Sequence, residues 1–294
     1  MGKDEIILEM NSFLIKGDTQ VFAVFGDPIG HSLSPVMHNA AFQALGLNCI
    51  YIPCHVRPEQ LGNAISGIRA FNIKGVNVTI PHKRAVLGGL DEIFGDSLLS
   101  GSVNTIINRN GKLYGASTDG IGLVRSLKEE GGFEVAGKNV LLLGAGGSAP
   151  AVIYRLITEN VNSIYLLNRT TQNAVNLGKK VLEDTGFKLN IEELNRLSAL
   201  PWDSIDLVIN ATSVGLKDQN SLIPQQFLHS KLFVYDLVYR SGGVTTLVEQ
   251  AVQAGCHALS GLSLLLYQGA ESFRLWFETD PPIKVMRDAL KHFK

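Results

Sequence analysis

Short apolar runs alternate along this chain with stretches whose apolar positions recur at helical spacing. Val21-Phe22-Ala23-Val24-Phe25 is an unbroken apolar run that stops at Gly26-Asp27-Pro28, the pattern of a buried strand entering a loop. A helix is expected from Ser34. Ser34-Pro35 sets a capping hydroxyl before a proline suited to the first helical turn, Ala40, Ala41, Ala44 and Leu45 follow at helical spacing, and Gly46 ends it. A strand over 49–56, a helix over 58–71, a strand over 74–80 and a helix starting at Pro81 continue the series as a parallel βαβ pattern. Asn110-Gly111, between the segments 103–108 and 112–115, predicts a tight hairpin and hence an antiparallel edge to that sheet.

A helix over about 118–131 then runs into Gly131-Gly132, and a second series of strands begins at 139–143 and continues near 163–168, 205–210 and 232–236. Two helices close the chain, 261–278 and 282–293, separated by the breaker Asp280-Pro281-Pro282. The expected fold is α/β in two domains, with the boundary near the 118–131 helix. Residues 1 to about 20 read as a short polar extension with an uncertain strand. No internal repeat, low-complexity tract or bilayer-spanning run is visible.

Composition narrows the partners. The 294 residues, 45% of them hydrophobic, fill two modest cores more readily than one. A formal charge of −1 leaves no broad cationic surface for nucleic acid or anionic lipid, so a small-molecule partner is expected, without nucleic acid or membrane. Cys49, Cys54 and Cys256 form no Cys-x-x-Cys pair, which argues against a disulfide framework or structural zinc and fits a reducing, cytoplasmic setting. The first residues are acidic where a secretory signal would be basic, and Ile6 breaks a myristoylation motif.

The strand at 139–143 runs directly into Gly144-Ala145-Gly146-Gly147-Ser148-Ala149, a G-x-G-x-x-A loop at a strand-to-helix junction. The first glycine permits the turn, the second lets backbone approach a diphosphate, and small Ala149 lets helix pack on strand. The helix start offers free N–H groups to the phosphates. The next strand ends in Asn168-Arg169-Thr170, where an NAD enzyme would carry an acid for the ribose 2′-hydroxyl. Arg169 can hold a 2′-phosphate through its planar fork, and Asn168 and Thr170 can donate to it without repulsion, which favours NADP. Alone, Arg169 would be an ordinary solvated arginine.

Four further segments then become legible together: Gly30-His31-Ser32-Leu33-Ser34-Pro35, Asn77-Val78-Thr79-Ile80-Pro81-His82-Lys83, Val103-Asn104-Thr105 and Ser117-Thr118-Asp119-Gly120. With Asn210-Ala211-Thr212-Ser213, Asp236-Leu237-Val238-Tyr239 and Tyr267-Gln268-Gly269, their order and spacing resemble the shikimate dehydrogenase family from about Phe22 to the final helices. The resemblance implies NADPH-dependent, reversible reduction of 3-dehydroshikimate to shikimate. It implies a substrate domain of residues 1–119 and 261–294 around a Rossmann-type cofactor domain of residues 120–260. It also implies Lys83 as the proton donor to the developing alkoxide, with Asp119 orienting it, and no metal. Ser32 and Ser34 would bind the carboxylate; Thr79, Asn104, Asp119 and Gln268 would join Lys83 around the ring hydroxyls, and Tyr239 would make another substrate contact. Thr212, Leu237 and Gly261 would complete the cofactor site begun by residues 144–149 and 168–170.

Taken singly, several of these residues have plainer readings. Lys83 would be a solvated charge at a helix start, Asp119 a helix cap, Thr79 a β-former, and Gln268 a satisfied boundary amide. His31, His38 and His82 lack ligand spacing and read as loop or supporting residues; Cys49 and Cys54 read as small core residues. Two stretches depart from the family pattern, Ser100-Gly101-Ser102 and Ser148-Ala149-Pro150, neither removing a catalytic group. The alternatives are a broader quinate/shikimate dehydrogenase and a non-catalytic sensor of the same acids. Oligomeric state stays open between monomer and homodimer.

Overall fold

The computed structural model describes residues 15–240 and 243–291, so most of the amino-terminal extension lies outside the described residues. The first half of the chain builds β1 (Gln20–Gly26), α1 (Ser34–Ala44), β2 (Cys49–His55), α2 (Leu61–Ala70) and β3 (Gly75–Val78). It continues through β4 (Glu92–Ile93), α3 (Ser97–Ser100), β5 (Thr105–Arg109) and β6 (Lys112–Ala116). These strands form one sheet in the order β2-β1-β3-β5-β6-β4, parallel through β1, β2 and β3 and antiparallel from β3 to β5 and β6. The unbroken apolar run in β1 has its cause here: Phe22 and Val24 pack with Met37 and Phe42 of α1, while Ala23 and Phe25 pack with Leu61, Ile65 and Ile68 of α2. Buried on both faces, the strand has no polar side to show. The hairpin turns at Asn110 and Gly111, both in the left-handed region at φ 54° and 87°.

After α4 (Asp119–Glu129) the chain builds β7 (Asn139–Leu143), α5 (Ala149–Thr158), β8 (Ser163–Asn168), α6 (Thr171–Thr185) and β9 (Asn190–Glu193). Then follow β10 (Leu207–Asn210), β11 (Phe233–Asp236), α7 (Thr246–Gln253) and β12 (His257–Leu259). This second sheet is wholly parallel in the order β12-β11-β10-β7-β8-β9. β7 repeats the logic of β1: Val140 and Leu142 join one core, Leu141 and Leu143 the other. The strand order reverses between β8 and β10 at β7, so a crevice opens at the carboxyl end of β7, where the glycine loop begins.

The chain returns through α8 (Gly261–Phe277) and α9 (Ile283–Lys291) to the first sheet, where Leu266, Tyr267, Phe273 and Met286 share a core with Phe22 and Phe42. α8 also lies against α4 at an unusually close crossing. A Cβ on Gly122 would stand 2.6 Å from the Gln268 amide nitrogen, so only glycine lets Gln268 approach the start of α4. On the far side of the cleft, Arg155 of α5 holds Asp96 through two hydrogen bonds of 3.0 and 2.8 Å, joining the cofactor-loop helix to the first half.

Ser34 is not a cap: Leu33 precedes the helix, no side chain caps it, and Ser34 lies within its first turn. No α-helix starts at Pro81. The Lys83 carbonyl accepts from Val103 N at 2.8 Å, which removes it from any helical ladder, and a short 3-10 turn follows at Ala85–Gly89. Cys49 and Cys54, on the edge strand β2, are half-buried and pack against the cores on its two faces.

His38, expected as a loop or supporting residue, sits inside α1, fully buried and stacked on Tyr51 at 4.6 Å, with neither ring nitrogen hydrogen-bonded among the described residues. Burial alone pushes its imidazole down to about 3. The unfolded chain protonates this histidine below about 6.5 while the folded one does not, so stability is full above that pH and falls as pH drops toward 3. Urea unfolding at pH 7.5 and 5.0 is expected to show wild type losing about 2 kcal/mol more than His38→Phe over that interval.

Candidate active site

Lys83 and Asp119 come from separate parts of the chain. Lys83 follows β3 on the loop pinned by Val103, and the neighbouring His82 ring donates to the Val56 carbonyl at 2.6 Å. Asp119 is the first residue of α4, yet its carboxylate does not cap that helix. Instead Asp119 Oδ2 accepts from Lys83 Nζ at 2.5 Å, and Oδ1 accepts from Asn104 Nδ2 at 2.9 Å. The side chains are 12% and 4% exposed, so this is a buried ion pair, which persists only where its remaining hydrogen-bonding capacity is met.

Asn104 meets much of it. Its Nδ2 also lies 3.1 Å from Gln268 Oε1 and 2.9 Å from Thr118 Oγ1, while its Oδ1 accepts from Thr118 N at 2.8 Å. Gln268 Nε2 donates back to the Leu265 carbonyl at 2.9 Å, which fixes the amide's orientation. Beneath these lies a second layer centred on Asn77. Its Nδ2 reaches Asn104 O, Thr105 Oγ1 and Ser272 Oγ within 3.2 Å, and its Oδ1 accepts from Tyr51 at 2.8 Å. Asn77 belongs to the Asn-Val-Thr-Ile-Pro-His-Lys segment, but the sequence carried no sign of this supporting role.

A single cavity of about 540 Å³ joins this cluster to the glycine loop. Ser32, Ser34, Thr79, Lys83, Asn104, Asp119, Tyr239 and Gln268 line one part of it. Gly144, Ala145, Gly146, Gly147, Ser148, Asn168, Arg169, Thr212, Leu237 and Gly261 line the other. Ala149 and Thr170 stand outside the lining. Ala149 is fully buried, so it packs helix on strand, and Thr170 precedes α6 at the surface. Leu194, Leu216 and Leu222 also line the cavity and were not expected from sequence, since isolated leucines in loops carry no pattern.

The cofactor side shows how its loop is shaped. Gly144 has φ +104°, and a Cβ there would meet the Ala211 carbonyl at 2.9 Å, so this turn admits glycine alone. Gly146 and Gly147 leave open space where a side chain would stand, and no side chain caps the start of α5. Asn168 Oδ1 accepts from Ala145 N at 3.1 Å and its Nδ2 donates to the Thr170 carbonyl, so this amide ties the loop to β8 rather than standing free. Arg169 is exposed at the cavity rim and pairs with no carboxylate among the described residues. A dinucleotide diphosphate and a 2′-phosphate suit these groups.

Asp236 organises the remaining wall. Fully buried at the end of β11, it accepts from Asn210 Nδ2 at 2.9 Å, Val238 N at 3.0 Å and Thr245 Oγ1 at 2.5 Å. Asn210 in turn accepts from Thr212 N and Oγ1. Burial pushes the Asp236 carboxyl up, and these three donors work against that shift. Tyr239, a few residues on, reaches across to the first half; burial pushes its hydroxyl up, opposed by contacts to the Leu33 backbone and the Ser32 side chain.

A parallel sheet with a glycine loop at its switch point, sharing one cavity with a buried Lys-Asp pair beside the other sheet, defines the class: a two-domain, dinucleotide-dependent oxidoreductase. Three family models match the chain: the shikimate dehydrogenase substrate binding domain over residues 24–106, shikimate/quinate 5-dehydrogenase over 126–226, and the shikimate 5′-dehydrogenase C-terminal domain over 261–291. The NADP(+)-dependent shikimate dehydrogenase of Pyrococcus furiosus is 44% identical over 277 residues, 93% of this chain and 96% of that protein. A crystal structure of a shikimate dehydrogenase in complex with NADP+ superposes with TM-score 0.89 at 38% identity, covering 96% of this chain and 98% of the other. That of the Thermus thermophilus enzyme with NADP(H) and shikimate gives 0.83 at 33% identity, covering 94% and 100%. The chain belongs to the shikimate dehydrogenase family.

Replacing Asn104 by Ala leaves the buried Asp119 Oδ1, Gln268 Oε1 and Thr118 N without this partner. The expected cost is about 2 kcal/mol in denaturant unfolding, with shikimate turnover falling at least about tenfold.

Proposed function

We infer that this chain is an NADP-dependent shikimate dehydrogenase, reducing 3-dehydroshikimate to shikimate and running the reaction in reverse. The observation that carries this reading is the buried Lys83–Asp119 pair lining the same cavity as the glycine loop. When bound, NADPH supplies the hydride. The chain's own residues do the rest. As a ketone oxygen gains negative charge, Lys83 donates a proton to it; in oxidation the same nitrogen takes the proton back. Asp119 holds the ammonium in place and balances its charge, and the water-poor pocket strengthens both interactions.

Ser32 and Ser34, on the loop and first turn after β1, receive the substrate carboxylate through short hydroxyl donors. Thr79, Asn104, Asp119, Gln268 and Tyr239 supply the mixture of donors and acceptors that a polyhydroxylated ring requires. The backbone N–H groups of residues 144–148 cradle the diphosphate, with Thr212, Leu237 and Gly261 along the same wall. Arg169 takes the 2′-phosphate. Residues 1–119 and 261–294 form the substrate domain and 120–260 the cofactor domain. The three free thiols suit a cytoplasmic enzyme, and it works as a monomer or homodimer.

The test is one assay of purified protein with shikimate and NADP+, with NAD+ and quinate run in parallel. Shikimate-dependent NADPH formation is expected, with Lys83→Ala lowering kcat/KM by roughly 10³-fold. Comparable turnover with quinate and NAD+ would assign the broader dehydrogenase, and shikimate binding without turnover would assign a sensor. Arg169→Ala is expected to raise KM for NADP+ by about 10- to 100-fold while leaving the slower NAD+ reaction nearly unchanged.

A further inference from the structure

The ammonium of Lys83 is held at two of its three N–H bonds, and the two acceptors stand on opposite walls of the cleft. Asp119, at the start of α4, accepts at 2.5 Å, and Ser148 Oγ, on the glycine loop, accepts at 3.1 Å. Ser148 immediately precedes α5, where a serine side chain ordinarily caps the helix, yet it makes no capping hydrogen bond. Its hydroxyl turns to the lysine instead. The loop is braced for this, because the preceding carbonyl, that of Gly147, accepts from Ser102 Oγ at 3.2 Å. Ser102 is itself fully buried, with its carbonyl accepting from Ser97 Oγ at 2.9 Å.

A tetrahedral ammonium with two N–H directions fixed has its third fixed as well. We propose that Ser148 is a positioning residue for the reaction, fixing the rotation of the Lys83 ammonium so that its remaining N–H meets the substrate oxygen. Asp119 alone anchors the nitrogen at one point, and the terminal torsions of the lysine side chain can still swing the remaining N–H bonds about that anchor. Ser148 stops the rotation from the cofactor side, so the lysine is set correctly only when the glycine loop is in place. The contact thereby makes proton delivery depend on the geometry of the cofactor domain, although Ser148 itself gives up no proton in the reaction. The inference rests on the dehydrogenase reading above.

The experiment measures kcat and KM for shikimate and for NADP+ in the full chain and in Ser148→Ala, Ser148→Thr and Ser102→Ala. Loss of one aligned hydrogen bond at the lysine is expected to lower kcat of Ser148→Ala about fivefold or more, with KM for NADP+ within about twofold of wild type. Threonine keeps the hydroxyl and is expected to restore most of kcat; Ser102→Ala is expected to lower kcat in the same direction by less. A raised KM for NADP+ with unchanged kcat would assign the hydroxyl to the cofactor alone and overturn the proposal. So would a Ser148→Thr enzyme as slow as Ser148→Ala, which would mean that loop packing, not the hydroxyl, matters. Wild-type protein without shikimate-dependent NADPH formation would overturn the dehydrogenase reading itself, an outcome distinct from either.

Discussion

A lysine and an aspartate taken almost wholly out of water impose the strictest requirement on this molecule. Two charges in a poorly hydrated cleft attract strongly, but their desolvation is costly unless nearly every remaining donor and acceptor finds a partner. Lys83 and Asp119 meet that condition with Asn104, Ser148, Gln268 and Thr118, drawn from both halves of the chain. Each partner is in turn held: Gln268 by the Leu265 carbonyl and by the close crossing at Gly122, and the Asn104 backbone by Asn77. The rigidity of the cleft floor follows from this chain of obligations.

The two sheets deliver these residues by the same device. In each, a central strand has parallel neighbours on both sides, β2 and β3 around β1, β8 and β10 around β7, so the loops at its carboxyl end part and leave a crevice. The first crevice carries Ser32, Ser34 and Thr79; the second carries the glycine loop and Arg169. Because one cavity joins the two, polar side chains on one wall reach groups on the other. Tyr239 toward Ser32 and Ser148 toward Lys83 are both contacts of this kind.

Polar groups at the ends of elements here serve the cleft rather than their own helices. Asp119, Ser148 and Thr118 all stand at helix starts where side-chain caps are favoured, and none makes a capping bond. A cap contributes on the order of 1 kcal/mol, whereas leaving a buried charge unpaired costs several times as much, so the long-range partner wins. Asp236 follows the same rule, spending its carboxylate on Asn210, Val238 and Thr245 to shape the wall behind Tyr239.

The features legible in the amino-acid sequence are local in origin. The apolar runs of β1 and β7, the Asn110-Gly111 turn, the glycine loop after β7 and the absence of an acid beside Arg169 each follow from a few adjacent residues and their steric or solvation preferences. The family resemblance added the residues of the cleft, and the cavity gathers all of them but Ala149 and Thr170. Tertiary structure decided how they are used. Asp119 looks like a cap, and Pro81 looks like a helix start, until Lys83, Asn104 and Val103 arrive from elsewhere to claim the same donors and acceptors. His38 and Asn77 give no local sign of their burial, and neither does Ser148 of its bond to Lys83. A hydrogen bond between residues 65 positions apart is specified by the packing of two sheets, and no short segment contains that information.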